Sequence, residues 1–191
     1  MAKTKILTLW DDEQVNEKMA GILRKSSVDI PIPIDSKGQR DIKMLVNAFL
    51  ERDDALGLAA PQIGINKKIV VFRNKGFDEK GEIKGEKDYD VLVNPRITQL
   101  RGEKVPASEG CLSCPEIKVE VSRFPEIKVR AYDVNGCKIS KRYTDFLARI
   151  VQHELDHLEG KLIIDHEGTV YFPREREEFF TWLFQEDLKE A

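Results

Sequence analysis

Two of the three histidines in this 191-residue chain stand four residues apart, in His153-Glu154-Leu155-Asp156-His157. On a helix, residues four apart share a face, so both imidazoles can offer a nitrogen to one metal ion. Glu154 then lies beside the ion rather than on it, where it can take a proton from a water held there. The bland alternative is a solvated helix turn with chance histidines, but two rare residues at this spacing argue against it. A catalytic metal site of this kind needs a third protein ligand and an open fourth position. Cys111, in Glu109-Gly110-Cys111-Leu112-Ser113, is the strongest candidate, because a thiolate is a good ligand for iron or zinc. Gly110 before it lets backbone approach closely.

The elements that must carry these residues are legible from hydrophobic spacing. A helix is expected from about Asp11 to Lys25, with Val15, Met19, Ile22 and Leu23 as its stripe. Ile30-Pro31-Ile32-Pro33 reads as an extended link. A second helix is expected over about 36–53, on Ile42, Leu45, Val46, Phe49 and Leu50. The pattern then turns to strands at 68–72, 91–97, 117–121 and 127–131. Asn135-Gly136 marks a hairpin turn, with a return strand through Cys137 and Ile139. The polar, Gly-rich stretch 74–88 reads as an exposed loop. A third helix, capped by Thr144 or Asp145 and ended by Gly160, carries the histidines. Leu162-Ile163-Ile164 reads as a short strand. A last helix follows Pro173, over about 173–190, with Phe179, Phe180, Leu183, Phe184 and Leu188 on one side. Strands grouped between helices imply an α+β fold in a single domain, residues 1–191.

Composition excludes several classes. The hydrophobic fraction is 41% and the charged fraction 34%, an ordinary globular balance. A net charge of −3 argues against a broad nucleic-acid footprint, and no DNA partner is expected. No apolar run is long enough to span a bilayer, and acids follow the first apolar residues too soon for a targeting segment. The expected location is the cytoplasm. Three cysteines, Cys111, Cys114 and Cys137, do not describe a disulfide-stapled domain.

Three short motifs together resemble the peptide deformylase family. They are Gly57-Leu58-Ala59-Ala60-Pro61-Gln62, Glu109-Gly110-Cys111-Leu112-Ser113 and Gln152-His153-Glu154-Leu155-Asp156-His157-Leu158, in that order. Weaker likeness through Leu23-Arg24-Lys25, Ala148-Arg149 and Gly160 extends it over most of residues 20–165. The resemblance implies mixed or antiparallel sheets around a central metal-binding helix. It implies a hydrolase that removes the N-formyl group from the starting methionine of new proteins, releasing formate. It makes Cys111, His153 and His157 ligands of one divalent metal, ferrous iron in the cell, with zinc, nickel and cobalt as other ions the set accepts. Glu154 becomes the general base and then the acid. Gln62 and the Leu112 backbone N–H become donors to the oxyanion, and Leu56 and Gly57 the strand that pairs with the substrate. Glu109 and Arg123 match an ion pair that braces the second motif. Arg149 and Ile150, on the metal-bearing helix, are candidates for lining the methionine pocket. The implied substrate is the formylated end of a nascent chain, met near the ribosome.

The chain departs from the family pattern in three places. Ala55 stands where the family usually has another glycine, and Cys114 where it commonly has an apolar residue. The stretch over about 10–22 is longer than usual, as if a helix were inserted. Cys111 and Cys114 form Cys-x-x-Cys, but without a second pair or a thioredoxin-like setting. Two alternatives stay open at this stage. A zinc peptidase would draw its third ligand from beyond residue 160, such as Glu175 or Glu178. The metzincin third-histidine position holds Ile163, and His166 comes three residues later. A deformylase-like binding protein without activity is the other. The acidic tail from Arg174 is expected to pack its aromatic stripe on the body or another subunit, not on RNA.

Overall fold

The computed structural model describes residues 4–12, 14–78 and 88–185. Its first elements are a two-stranded hairpin, β1 (Trp10–Asp11) and β2 (Gln14–Val15), and a short helix, α1 (Glu17–Leu23). The single helix expected over 11–25 is therefore broken. Val15 is exposed and sits in the hairpin, and Asn16 starts α1 by accepting the Met19 N–H. Helix α2 (Ser36–Leu50) begins at Asp35, whose carboxylate accepts the Gly38 N–H. Its buried face is Ile42, Leu45, Ala48 and Phe49; Leu50, expected on that stripe, is exposed.

Five antiparallel strands form the main sheet, in the order β3 (Gly57–Ala59), β4 (Ile69–Arg73), β5 (Tyr89–Arg101), β8 (Glu126–Tyr132), β9 (Lys138–Thr144). β4 is buried along its whole length, because helices cover both faces there. α2 packs on one face through Leu58, Ile69, Val71 and Val93. Helix α3 (Asp145–Leu158) packs on the other, against Val70, Phe72, Leu92, Ile127 and Val129. α3 is buried on nearly every side rather than along one stripe, which marks it as the central helix. The α+β class is as expected.

A second sheet joins β6 (Val105–Cys111), β7 (Cys114–Arg123) and β10 (Val170–Tyr171), in the order β10-β7-β6. Leu162-Ile163-Ile164 is not a strand. Residues Ile163–Asp165 form a 3-10 turn, in which the Asp165 carboxylate accepts the Leu162 N–H. The last helix, α4 (Glu177–Gln185), buries Phe179 and Phe180 edge-on against Trp10. The aromatic stripe thus packs on the body; Leu188 lies outside the described residues, as does most of the loop expected at 74–88. No helix among the described residues is long and apolar enough to cross a membrane.

Gly160 ends α3 in the left-handed region, at φ +72°, and a Cβ there would stand 2.3 Å from the Arg24 carbonyl oxygen. That close approach holds the end of α3 to the segment after α1, where the Ser27 N–H also donates to the Leu158 carbonyl. Gly160→Ala is therefore expected to cost about 2 kcal/mol or more and to lower the melting temperature by roughly 4–8 °C. A thermal melt of the metal-loaded protein checks this; an unchanged midpoint contradicts it.

Candidate metal centre

The β6–β7 hairpin turns through Leu112 and Ser113 alone, and its register shifts between Gly110 and Cys111. Such a shift re-aims a side chain, here Cys111, toward α3. The candidate donor atoms of Cys111, His153 and His157 all lie within 4.8 Å of one another. Cys111 Sγ is 3.3 Å from His157 Nε2. One sulfur and two imidazoles with room for a water is the donor chemistry of a catalytic zinc or iron site. These three side chains could hold a metal ion, and among the described residues no group beyond residue 160 joins them.

The neighbours of the cluster are arranged to serve such a site. The Glu109 carboxylate accepts from Arg123 twice, Nε at 3.0 Å and Nη2 at 2.8 Å, and from Arg149 Nη1 at 2.7 Å. Its Oε2 is also 3.0 Å from His153 Nδ1. Burial opposes ionisation of Glu109, but the hydrogen bonds from His153 and Arg123 outweigh it and hold the carboxyl well below its usual range. An ionised Glu109 fixes the proton of His153 on Nδ1, leaving Nε2 free to ligate. Arg123 also binds Asp156, which accepts from His166 Nε2 at 2.8 Å. His166 is thus engaged by Asp156 and is not among the three clustered donors.

Cys114 was a departure with no assigned part. It is fully buried and stands opposite Cys111 in the β6–β7 register. The neighbouring Cys114 and His157 pull the Cys111 thiol down, while Cys111 and burial push Cys114 up. Cys111 is therefore the more acidic thiol of the pair. Both are free thiols, as is exposed Cys137.

Glu154 is buried, and its Oε2 has no hydrogen-bond partner among the described residues. Burial pushes its carboxyl up to about 7, against the pull of His153 and His157. Gly57 lies against it: a Cβ on residue 57 would sit 2.2 Å from Glu154 Oε1. Gln62 is buried in the turn after β3. Its Oε1 accepts the Ala59 N–H at 2.8 Å, and its Nε2 donates to Ser113 Oγ at 3.1 Å. The segment after residue 6 ties these loops together, the Leu7 N–H donating to the Gln62 carbonyl and the Leu9 N–H to that of Ser113. Nothing in the periodicity of the first ten residues signals that role.

The remaining expected residues divide. Leu56 is half-buried just before β3, its carbonyl accepting the Arg73 N–H, and Leu112 packs toward the α2 side of the core. Gly110 is exposed, and a Cβ built there would meet nothing within 4 Å. Arg149 is buried with its guanidinium taken up by Glu109 and the carbonyls of Val121 and Val105. Ile150 is buried in the core between α3 and the sheet. Glu175 and Glu178 are exposed near the start of α4, away from the cluster.

Comparison with known proteins gives this arrangement its family. The model of the polypeptide deformylase family matches residues 12–170. The chain belongs to the polypeptide deformylase family. A peptide deformylase of Desulforudis audaxviator is 38% identical over 158 residues, which cover 78% of this chain and 96% of that one. A solved probable peptide deformylase from Synechococcus phage S-SSM7 is 36% identical, with a TM-score of 0.68, over 86% of this chain and 99% of that one. The Acinetobacter baumannii class I type b peptide deformylase solved with Met-Ala-Ser bound is 26% identical, with a TM-score of 0.72, over 86% of this chain and 98% of that one. Deformylases are metal-dependent hydrolases that remove the N-formyl group from newly made peptides, and this chain is an enzyme of that family.

The clamp on His153 generates a prediction. Glu109→Gln keeps the shape but removes the charge that faces two guanidinium groups and the Nδ1 proton. Metal affinity is expected to fall about 10–100-fold, read by competition with a chromogenic chelator. Wild-type affinity in that variant contradicts the assignment.

Proposed function

We propose that Cys111, His153 and His157 hold one divalent metal ion and that Glu154 is the acid–base residue of deformylation. The reading takes residues 1–191 as a single catalytic domain. The observation that carries it is the clustering of three donor atoms beside a buried carboxylate oxygen that nothing else uses. The metal, when bound, supplies Lewis acidity, lowering the pKa of a coordinated water and polarising the formyl carbonyl.

The chain's own residues do the rest. Glu154, raised to about 7 by burial, is matched to taking a proton from water and returning it near neutral pH. The attacking oxygen adds to the formyl carbon, the C–N bond breaks, and Glu154 protonates the leaving amine, giving formate and a free N-terminus. The Ala59 N–H holds the Gln62 side-chain oxygen Oε1, which turns the Gln62 side-chain amide toward donation. With the Leu112 backbone N–H it stabilises the oxyanion, and losing one such donor costs on the order of a hundredfold in rate. β3 ends the five-stranded sheet, so an extended peptide can pair along Leu56 and Gly57. Gly57 also leaves Glu154 its space. Open room at Gly110 suits the substrate's first residue, and Ile150 with the stem of Arg149 forms the wall of the methionine pocket.

The substrate is the N-formylmethionyl end of nascent peptides, in line with the Met-Ala-Ser carried by the Acinetobacter relative. We assign the work to the cytoplasm, near the ribosome, and ferrous iron as the ion, with zinc, nickel or cobalt able to replace it. Formate release from formyl-Met-Ala-Ser by ferrous- or nickel-loaded protein, under reducing conditions, tests the proposal. Glu154→Ala is expected to lose about 10²–10⁴-fold in kcat while keeping one metal per chain. Retained turnover in that variant, or cleavage inside the peptide by a Cys111→Ser protein, overturns it.

A further inference from the structure

The main sheet has a second face that the deformylase site does not use. α3 covers one side of β5, β8 and β9. On the other side, the register sets Arg96 beside Arg130, Lys128 beside Arg142, Arg101 beside Glu126, and Lys138 beside Tyr132. Arg96, Arg101, Arg130, Lys138 and Arg142 are exposed and Lys128 is half-buried. Acids there are few: Asp29 pairs with Arg96, and Glu126 serves both Arg142 and Arg101. Lys128, Arg130 and Lys138 have no acidic partner among the described residues. Strands stand about 4.8 Å apart, and like charges placed directly opposite cost stability. A chain of net charge −3 has therefore gathered unbalanced positive charge on the part of this face that α2 leaves open.

We propose that this face docks the phosphodiester backbone of RNA. The uncharged residues exposed among the cations include Gln99 and Ser140, side chains that hydrogen-bond phosphate. A protein interface would instead centre on aromatic and apolar anchors, with lysine depleted. The C-terminal helix offers no rival, since it turns Phe179 and Phe180 into the body and begins with Glu177 and Glu178. RNA on this side lies across the sheet from α3, so the metal-binding cluster stays open to peptide. The proposal is independent of the deformylation mechanism.

Fluorescence anisotropy with a 5′-labelled 20-nucleotide RNA hairpin tests it, using metal-loaded protein between 50 and 200 mM salt. Micromolar binding is expected at the lower salt, weakening linearly on a log–log plot. The triple variant Lys128→Gln, Arg130→Gln, Lys138→Gln is expected to bind at least tenfold more weakly. Its salt slope is expected to be shallower by about 2–3, the loss of three phosphate contacts. Melting temperature is expected to hold or rise, since opposed like charges are removed, and formate release from free peptide to stay at the wild-type value. The charge-conserving Lys128→Arg, Lys138→Arg variant is expected to bind as wild type. No binding by the wild type, full binding by the triple variant, or tighter binding of labelled polyglutamate than of RNA each overturns the proposal.

Discussion

The carboxylate of Glu109 joins the two halves of the site. It sits on β6, two residues before Cys111, and accepts hydrogen bonds from Arg123 on β7, Arg149 on α3 and His153 on α3. The hairpin that presents the sulfur and the helix that presents the imidazoles are thus held by one buried anion. Taking that charge out of water is costly, and a buried ion pair is weak evidence for stability. What it contributes is position. It fixes the tautomer of His153 and the distance between strand and helix, and through Arg123 it reaches Asp156 and His166. Without it, the buried Arg149 guanidinium would be left with carbonyl oxygens alone, and Arg123 with Asp156 as its one acidic partner among the described residues.

Around that clamp the scaffold leaves little freedom. α3 is enclosed on nearly all sides, so His153, Glu154 and His157 ride on an element fixed by packing rather than by a loop. Gly57 and Glu154 fit so closely that the edge strand and the proposed base define each other's position. Gln62 is aimed by Ala59 and Ser113, and backbone bonds from Leu7 and Leu9 link its loop to the hairpin. Cys114, unusual for the family at its position, is buried opposite the very residue whose sulfur is proposed as a ligand.

Much of this was readable in advance, for identifiable reasons. The His-Glu-x-x-His spacing worked because helical geometry alone brings the two histidines together. α2 and the strands at 69–73, 114–123 and 126–132 were legible because their apolar residues repeat at helix or strand periods. The N-terminal helix failed because Val15 looks like part of a stripe but is exposed in a hairpin, and α1 starts only at Glu17. Leu162-Ile163-Ile164 failed because an apolar run of three gives no period, and the Asp165 side chain closes a turn there instead. β6 was hidden since most of its residues are exposed. The Glu109 clamp joins residues up to 44 apart in sequence, and only the Glu109–Arg123 pair was implied by family likeness. The basic sheet face escaped notice because net charge averages over the whole surface.

The central claim is that one sulfur and two imidazoles, held together by the Glu109 clamp, bind a single metal ion. X-ray absorption at the zinc edge of stoichiometrically loaded protein tests it most directly. The account predicts one sulfur at about 2.3 Å and two imidazole nitrogens at about 2.0–2.1 Å, with the sulfur shell lost in Cys111→Ser. A shell of nitrogen and oxygen only, or a sulfur shell that survives in Cys111→Ser, would contradict it.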